Sequence, residues 1–274
     1  MRVACFGDVV GKSGRNALIE YIKSKKQACK IDCVIANGEN SAHGFGIRQE
    51  MCTQLFEAGV DIITLGNHTF DQKDDLQLFD REKRLVRPLN YPKNTPGRGH
   101  SIHEIPAIGQ NILIINVIGR VFMEINDDPF TALEDLLKIY RMGQNISSII
   151  VDIHAESTAE KTAYARYFDG KVSAIFGTHT HVPTADVQIL KGGTGFLSDL
   201  GMCGDYDSVI GMDDDASIKR LTQKIHMYAR MIPATGSATV CGILLEIDNS
   251  TGLCKDIKTI RCGGFLREQQ DIDV

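Results

Sequence analysis

Apolar runs that stop at a polar cluster alternate along this chain with amphipathic stretches that stop at glycine. "RVACFGD" (2–8) predicts a first strand and "GRNALIEYIKSKK" (14–26) a helix. "IDCVIANGEN" (31–40) predicts a second strand running into a loop. "IRQEMCTQLFEAG" (47–59) predicts a helix stopped by Gly59, and "VDIITLGNH" (60–68) a third strand. Neighbouring parallel strands need crossover helices, so this βαβαβ rhythm predicts a parallel sheet. The stretch 87–109 is rich in Pro, Gly and Asn and is expected to be loop. "NILIINVIG" (111–119) predicts a strand, and "DPFTALEDLLKIYRMG" (128–143) a helix with Pro129 in its first turn. "ISSIIVDIH" (146–154) predicts a strand, followed by a helix whose start carries a capping box, Ser157 with Glu160. "KVSAIFGTHTH" (171–181) predicts another strand. "ADVQILKGGTGFLSDLG" and "ATVCGILLEIDNSTGLCKDIKTIRC" predict antiparallel strands, and "MDDDASIKRLTQKIHMYARM" (212–231) begins as a helix. No linker or repeat interrupts the pattern, so one mixed α/β domain over 1–274 is expected.

Chemistry in α/β folds gathers at the carboxyl ends of the strands. The strand ends here deliver Asp8; Asn37, Glu39 and Asn40; Asn67 and His68; His154; and His179 with His181. Each has a bland reading: Asp8 as a helix cap, the asparagines as turn formers, His154 as a satisfied core histidine. Their shared placement favours function. The donors are oxygen and nitrogen, without a cysteine, which argues against a thiolate zinc site and for a catalytic Fe-, Mn- or Zn-type centre. Seven or eight ligands exceed the needs of one ion, and two ions roughly 3.5–4 Å apart with a shared carboxylate would use them all. His100, His103 and His226 lack such company and read as structural or surface, while His43 is a minor substrate-side candidate. "GDVVGKS" (7–13) resembles a phosphate-binding loop, but its glycines are one residue too close, so that reading is rejected.

Composition narrows the picture little. Of 274 residues, 43% are hydrophobic, and a net charge of -5 disfavours a stable nucleic-acid or anionic-membrane partner. No apolar run approaches the roughly 20 residues of a membrane helix. The eight cysteines include no CxxC pair, and no signal peptide is recognisable, so free thiols in the cytoplasm are expected.

In order, "GD" (7–8), "NGEN" (37–40), "GNH" (66–68), "DIHAE" (152–156) and "GTHTH" (177–181) resemble the calcineurin-like metallophosphoesterases. With "LVRPLNYP", "DDPF", "HAESTAEK" and "YDSVIGMD", the chain resembles over nearly its whole length the bacterial YmdB-like family of 2′,3′-cyclic-nucleotide 2′-phosphodiesterases. The resemblance implies mixed sheets in a four-layer α-β-β-α sandwich. It also implies two divalent or mixed-valence metals, iron before manganese or zinc. One would be held by Asp8, Glu39, Asn40 and His181, the other by Glu39, Asn67, His154 and His179, with Glu39 bridging. His68 would stand beside the substrate as the catalytic residue. A metal-bridging hydroxide would open a nucleoside 2′,3′-cyclic phosphate to the 3′-monophosphate. A small nucleotide substrate and a homo-oligomer are expected. The alternatives are a phosphatase or nuclease on phosphoprotein or RNA, and a metal- and nucleotide-sensing regulator with weak catalysis. Two departures bear on chemistry. Val10 stands where the superfamily has a first-motif histidine, and Thr69 stands where an acid commonly orients the histidine of "GNH".

Overall fold

The computed structural model describes residues 1–223 and 231–267. Its strands are β1 (Arg2–Phe6), β2 (Asp8–Val9), β3 (Cys33–Asn37), β4 (Ile62–Thr64), β5 (Leu85–Val86), β6 (His100–Ile105), β7 (Gln110–Ile118), β8 (Ser148–His154), β9 (Ala174–Thr178), β10 (Gln188–Ile189), β11 (Gly195–Leu197), β12 (Met202–Asp205), β13 (Ala238–Ile247) and β14 (Cys254–Cys262). The helices are α1 (Gly11–Lys25), α2 (Gln49–Ala58), α3 (Leu76–Arg81), α4 (Pro129–Ile139), α5 (Thr158–Tyr167) and α6 (Asp214–Thr222).

The strands form two mixed sheets. One runs β2-β12-β13-β1-β3-β4-β5, with β14 also on β13; the other runs β10-β11-β9-β8-β7-β6. Strands β1, β3, β4 and β5 are parallel, as are β7, β8, β9 and β11. Period-two alternation sorts their side chains. Val3, Cys5, Cys33 and Ile35 face Ile112, Ile114, Ile150, Ala174 and Phe176 between the sheets. Ala4, Phe6, Val34 and Ala36 face Leu18, Ile22, Met51 and Leu55 of α1 and α2. On the far side Leu113, Ile115, Val151 and Ile153 face Leu133 of α4 and Tyr164 of α5. These three apolar layers make the four-layer α-β-β-α sandwich. Each fully buried Ile, Leu or Phe contributes about 1.5–3 kcal/mol. Burial on both faces explains why the central strands read as unbroken apolar runs.

The helix boundaries follow local chemistry. α2 ends at Gly59, whose φ of 108° closes the last turn. Asp128 caps α4 ahead of Pro129. The expected capping box at α5 is half realised. Ser157 Oγ accepts from Glu160 N–H, but the Glu160 carboxylate accepts from the backbone of Arg120 and Val121 instead. No described helix is long and apolar enough to cross a membrane.

Three expectations are corrected. The stretch 87–109 is not all loop: His100–Ile105 forms β6, antiparallel to β7. It is an edge strand with polar residues, so it lacks a buried strand's pattern. The strand expected through His181 ends at Thr178, because His179 and His181 have φ of 102° and 67°. The segment 185–201 is only partly antiparallel, since β11 pairs antiparallel with β10 but parallel with β9. α6 ends at Thr222, and the rest of its expected reach, His226 included, largely lies outside the described residues.

Candidate metal centre

The carboxyl ends of β3, β4, β8 and β9 and the β2 segment meet where the two sheets face each other. Glu39 and His154 are buried side chains from opposite sheets, with Glu39 Oε1 3.0 Å from His154 Nε2. Asn67 Oδ1 lies 2.9 Å and His179 Nδ1 3.1 Å from that same Nε2. The remaining Glu39 oxygen, Oε2, accepts from His68 N–H at 3.0 Å. On the other flank, buried Asp8 accepts from His179 N–H at 3.2 and 3.3 Å, and its Oδ1 is 3.9 Å from His181 Nε2. Asn40 donates through Nδ2 to Gly44 O at 2.9 Å. Its buried Oδ1 has no hydrogen-bond partner. Six sequence candidates for metal, Asp8, Glu39, Asn67, His154, His179 and His181, are therefore linked by contacts, Asn40 directly follows Glu39, and His68 borders them.

The tautomer of His154 makes this convergence informative. Thr178 Oγ1 donates to Asp152 Oδ1 at 2.7 Å, so it accepts from His154 Nδ1–H at 2.9 Å. His154 therefore presents Nε2 to three acceptors: a carboxylate, an amide oxygen and a second imidazole. One proton cannot satisfy all three, whereas a cation can. Charge preferences agree. Burial opposes ionisation of His154, but Glu39, by charge and hydrogen bond, raises its pKa to about 9. Burial likewise opposes ionisation of Glu39, but His154 and His68 lower its pKa to about 2. Burial, then the charge on His154, lowers His179 to about 3. Of the two touching imidazoles, His154 favours its charged form and His179 its neutral one.

Backbone geometry serves the same convergence. A Cβ on Gly66 would overlap His154 and the Glu39 carboxylate, so only glycine lets the "GNH" turn pass this close. His179 and His181 sit in left-handed conformations that bulky residues avoid, a strain of order 1–3 kcal/mol each. Asp199 secures the loop between them: it accepts from Thr180 N–H at 3.1 Å and is ion-paired with buried Lys161 at 2.7 Å.

Several supporting residues escaped the sequence reading. Asp152 is a buried hub, accepting from Asn37, Thr64 and Thr178. Burial, offset in part by His154, raises its pKa to about 6. A charged residue inside the apolar run "IIVDIH" was the available signal. Asn37 braces Asp152 rather than joining the donors. Glu156 Oε2 lies 3.2 Å from His179 Nε2. Thr69 does not leave His68 without an orienting acid, because Asp71 Oδ2 is 2.8 Å from His68 Nδ1. The orienter sits three residues along the chain, where the turn folds back. His43 is exposed, in a left-handed turn.

The chain is 42% identical over 260 residues to a 2′,3′-cyclic-nucleotide 2′-phosphodiesterase of Bacillus subtilis, covering 95% of this chain and 96% of that one. A crystal structure of a phosphatase from Mycoplasma pneumoniae superposes with a TM-score of 0.88 at 36% identity, covering 96% of this chain and 93% of that one. A Candida albicans 5′-nucleotidase, at 12% identity and a TM-score of 0.52, covers 95% of this chain and 50% of its own, and shares the calcineurin-like metallophosphoesterase fold. The family model described as YmdB-like protein matches residues 5–260, and the chain belongs to that family.

Proposed function

We propose that the chain is a metal-dependent phosphodiesterase that opens nucleoside 2′,3′-cyclic phosphates to 3′-monophosphates. The observation that carries this reading is the meeting of Glu39, Asn67 and His179 on His154 Nε2, beside the unpartnered Asn40 Oδ1. Asp8, Glu39, Asn40 and His181 would hold one metal and Glu39, Asn67, His154 and His179 the other. The thiolate-free donors suit iron, manganese and zinc alike, and the family resemblance favours iron. Bound there, the two ions would supply a water nucleophile at neutral pH and neutralise charge developing at phosphorus.

The chain's own residues do the rest. Thr178 and Asp152 fix the His154 tautomer, and Asp199 fixes the loop carrying His179 and His181. His68 is anchored through its N–H to Glu39, and Asp71 engages its Nδ1, which leaves Nε2 as the ring nitrogen that, when protonated, would give its proton to the leaving oxygen. Phe45 packs edge-on against the His68 ring, with centroids 4.9 Å apart, and limits its swing. The name of the Bacillus subtilis relative supports the cyclic-nucleotide substrate. Cys5, Cys29, Cys33, Cys52, Cys203, Cys241 and Cys254 are free thiols, which supports a reducing cytoplasmic location. A homo-oligomer completes the reading and is checked by light scattering.

The test is a kcat/KM panel on metal-loaded protein: nucleoside 2′,3′-cyclic phosphates, bis-p-nitrophenyl phosphate, a phosphopeptide and RNA. Preference for the cyclic phosphates is expected. Faster turnover of phosphopeptide or RNA, or tight nucleotide binding without turnover, would overturn the assignment. Elemental analysis of protein purified without chelator identifies the metal.

A further inference from the structure

We propose that Cys33, Asp61 and His103 form a separate mononuclear site for a zinc-class transition metal, at the edge of the gap between the sheets. Cys33 opens β3, Asp61 directly precedes β4, and His103 lies within β6 of the other sheet. Their donor atoms, a sulfur, a carboxylate oxygen and an imidazole nitrogen, all lie within 4.8 Å of one another. Strand pleating explains the meeting. Cys33 shares the inter-sheet face of β3 with Ile35. His103 is paired across the ladder with Ile112, which lies on the inter-sheet face of the second sheet. Residues directly opposite in an antiparallel pair share a face, so cysteine and histidine approach from the two sheets.

The carboxylate is already oriented. Asp61 Oδ2 accepts from Lys26 Nζ at 2.9 Å and from Val34 N–H at 2.8 Å. Its Oδ1 is turned toward His103 Nε2, 3.9 Å away and beyond hydrogen-bond reach. Bonds of about 2.0–2.3 Å to a tetrahedral ion set ligand atoms about 3.3–3.8 Å apart, so the existing spacing needs only a small contraction. Hydrogen bonds to the second oxygen are the usual support for a ligating carboxylate. On binding, the Cys33 thiol gives its proton to solvent. Thiolate and carboxylate then balance the ion's two charges, while Lys26 stays paired to Asp61. Asp61 and His103 are partly exposed, with side-chain accessibilities of 20% and 23%, which gives the ion a way in and water the fourth position. Cys33 stands at the opposite end of β3 from the "NGEN" loop, about 13 Å along the strand at about 3.3 Å per residue. The two sites are therefore independent.

Cobalt(II) distinguishes them, because the strand-end donors contain no sulfur. The full chain, stripped with chelator and kept reduced, is titrated with cobalt and followed in the near ultraviolet. A thiolate-to-cobalt charge-transfer band is expected. Cys33→Ser should abolish it and lower bound metal by one ion per chain. His103→Gln should weaken its half-saturation by more than the roughly 10–100-fold that loss of a supporting partner costs. Glu39→Ala should keep the band, so failure of the phosphodiesterase reading leaves this one standing. No band in the wild type, or a band unchanged in His103→Gln, overturns the proposal. The His103 variant decides the matter if Cys33→Ser does not fold.

Discussion

Replacing Lys161 by Met isolates what the buried ion pair beneath the histidine loop contributes. Lys161 and Asp199 are 1% and 2% exposed and 2.7 Å apart. At an effective dielectric of about 20, unit charges at that distance attract by about 6 kcal/mol. Loss of one buried partner typically destabilises by about 3–5 kcal/mol, because the other charge stays dehydrated and uncompensated. Methionine preserves most of the stem that crosses Gly177, so the change is mainly one of charge. Urea denaturation in chelator reads the effect without interference from metal. With an m-value of about 3 kcal/mol/M, the midpoint should fall by about 1–1.7 M. Adding Asp199→Asn should then restore part of the loss. The amide is neutral, and its oxygen still accepts from either Thr180 or Gly201 N–H, both of which the carboxylate now serves. A midpoint shift below about 0.3 M, or a double variant less stable than Lys161→Met alone, would refute this account.

His68→Ala should retain bound metal by elemental analysis while kcat falls about 10²–10⁴-fold, the usual worth of general acid help; Asp71→Asn should lie between that variant and wild type in the same assay. Glu39→Ala should lose activity and metal stoichiometry together. Divalent metal at about 100 times its dissociation constant should stabilise the wild type by about 2.7 kcal/mol per site in thermal melts, and Glu39→Ala should lose that gain. His179→Gly should relieve the strain of its 102° φ and raise the chelator-treated melting temperature, yet bind metal more weakly; a lower melting temperature would count against strain at this position.

The central strands were legible because burial on both faces leaves little room for polar residues, and their ends were legible because Asp8, Glu39, Asn67 and His154 break those runs. Strand β6 was hidden because its edge position tolerates "HSIHEI", a pattern no different from a polar loop. The handedness at His179 and His181 carries no signal in residue type, since neither is glycine; tertiary contacts impose it. Asp71 was missed because the reading sought an acid adjacent to His68 rather than one turn on. The pairing of Lys161 with Asp199 joins an ordinary helix position to a loop 38 residues away, which no local pattern encodes.

The strand-end contacts have a mechanical consequence. Asp8, Glu39, Asn40 and Asn67 belong to one sheet, and His154, His179 and His181 to the other. The contacts of His154 with Glu39 and Asn67, and of His179 with Asp8, each cross the seam between the sheets. A cation seated there would act as a rivet through two plates. If these donors hold it, shear of one sheet past the other would strip it of ligands, and ion loss and sheet slippage would become a single event.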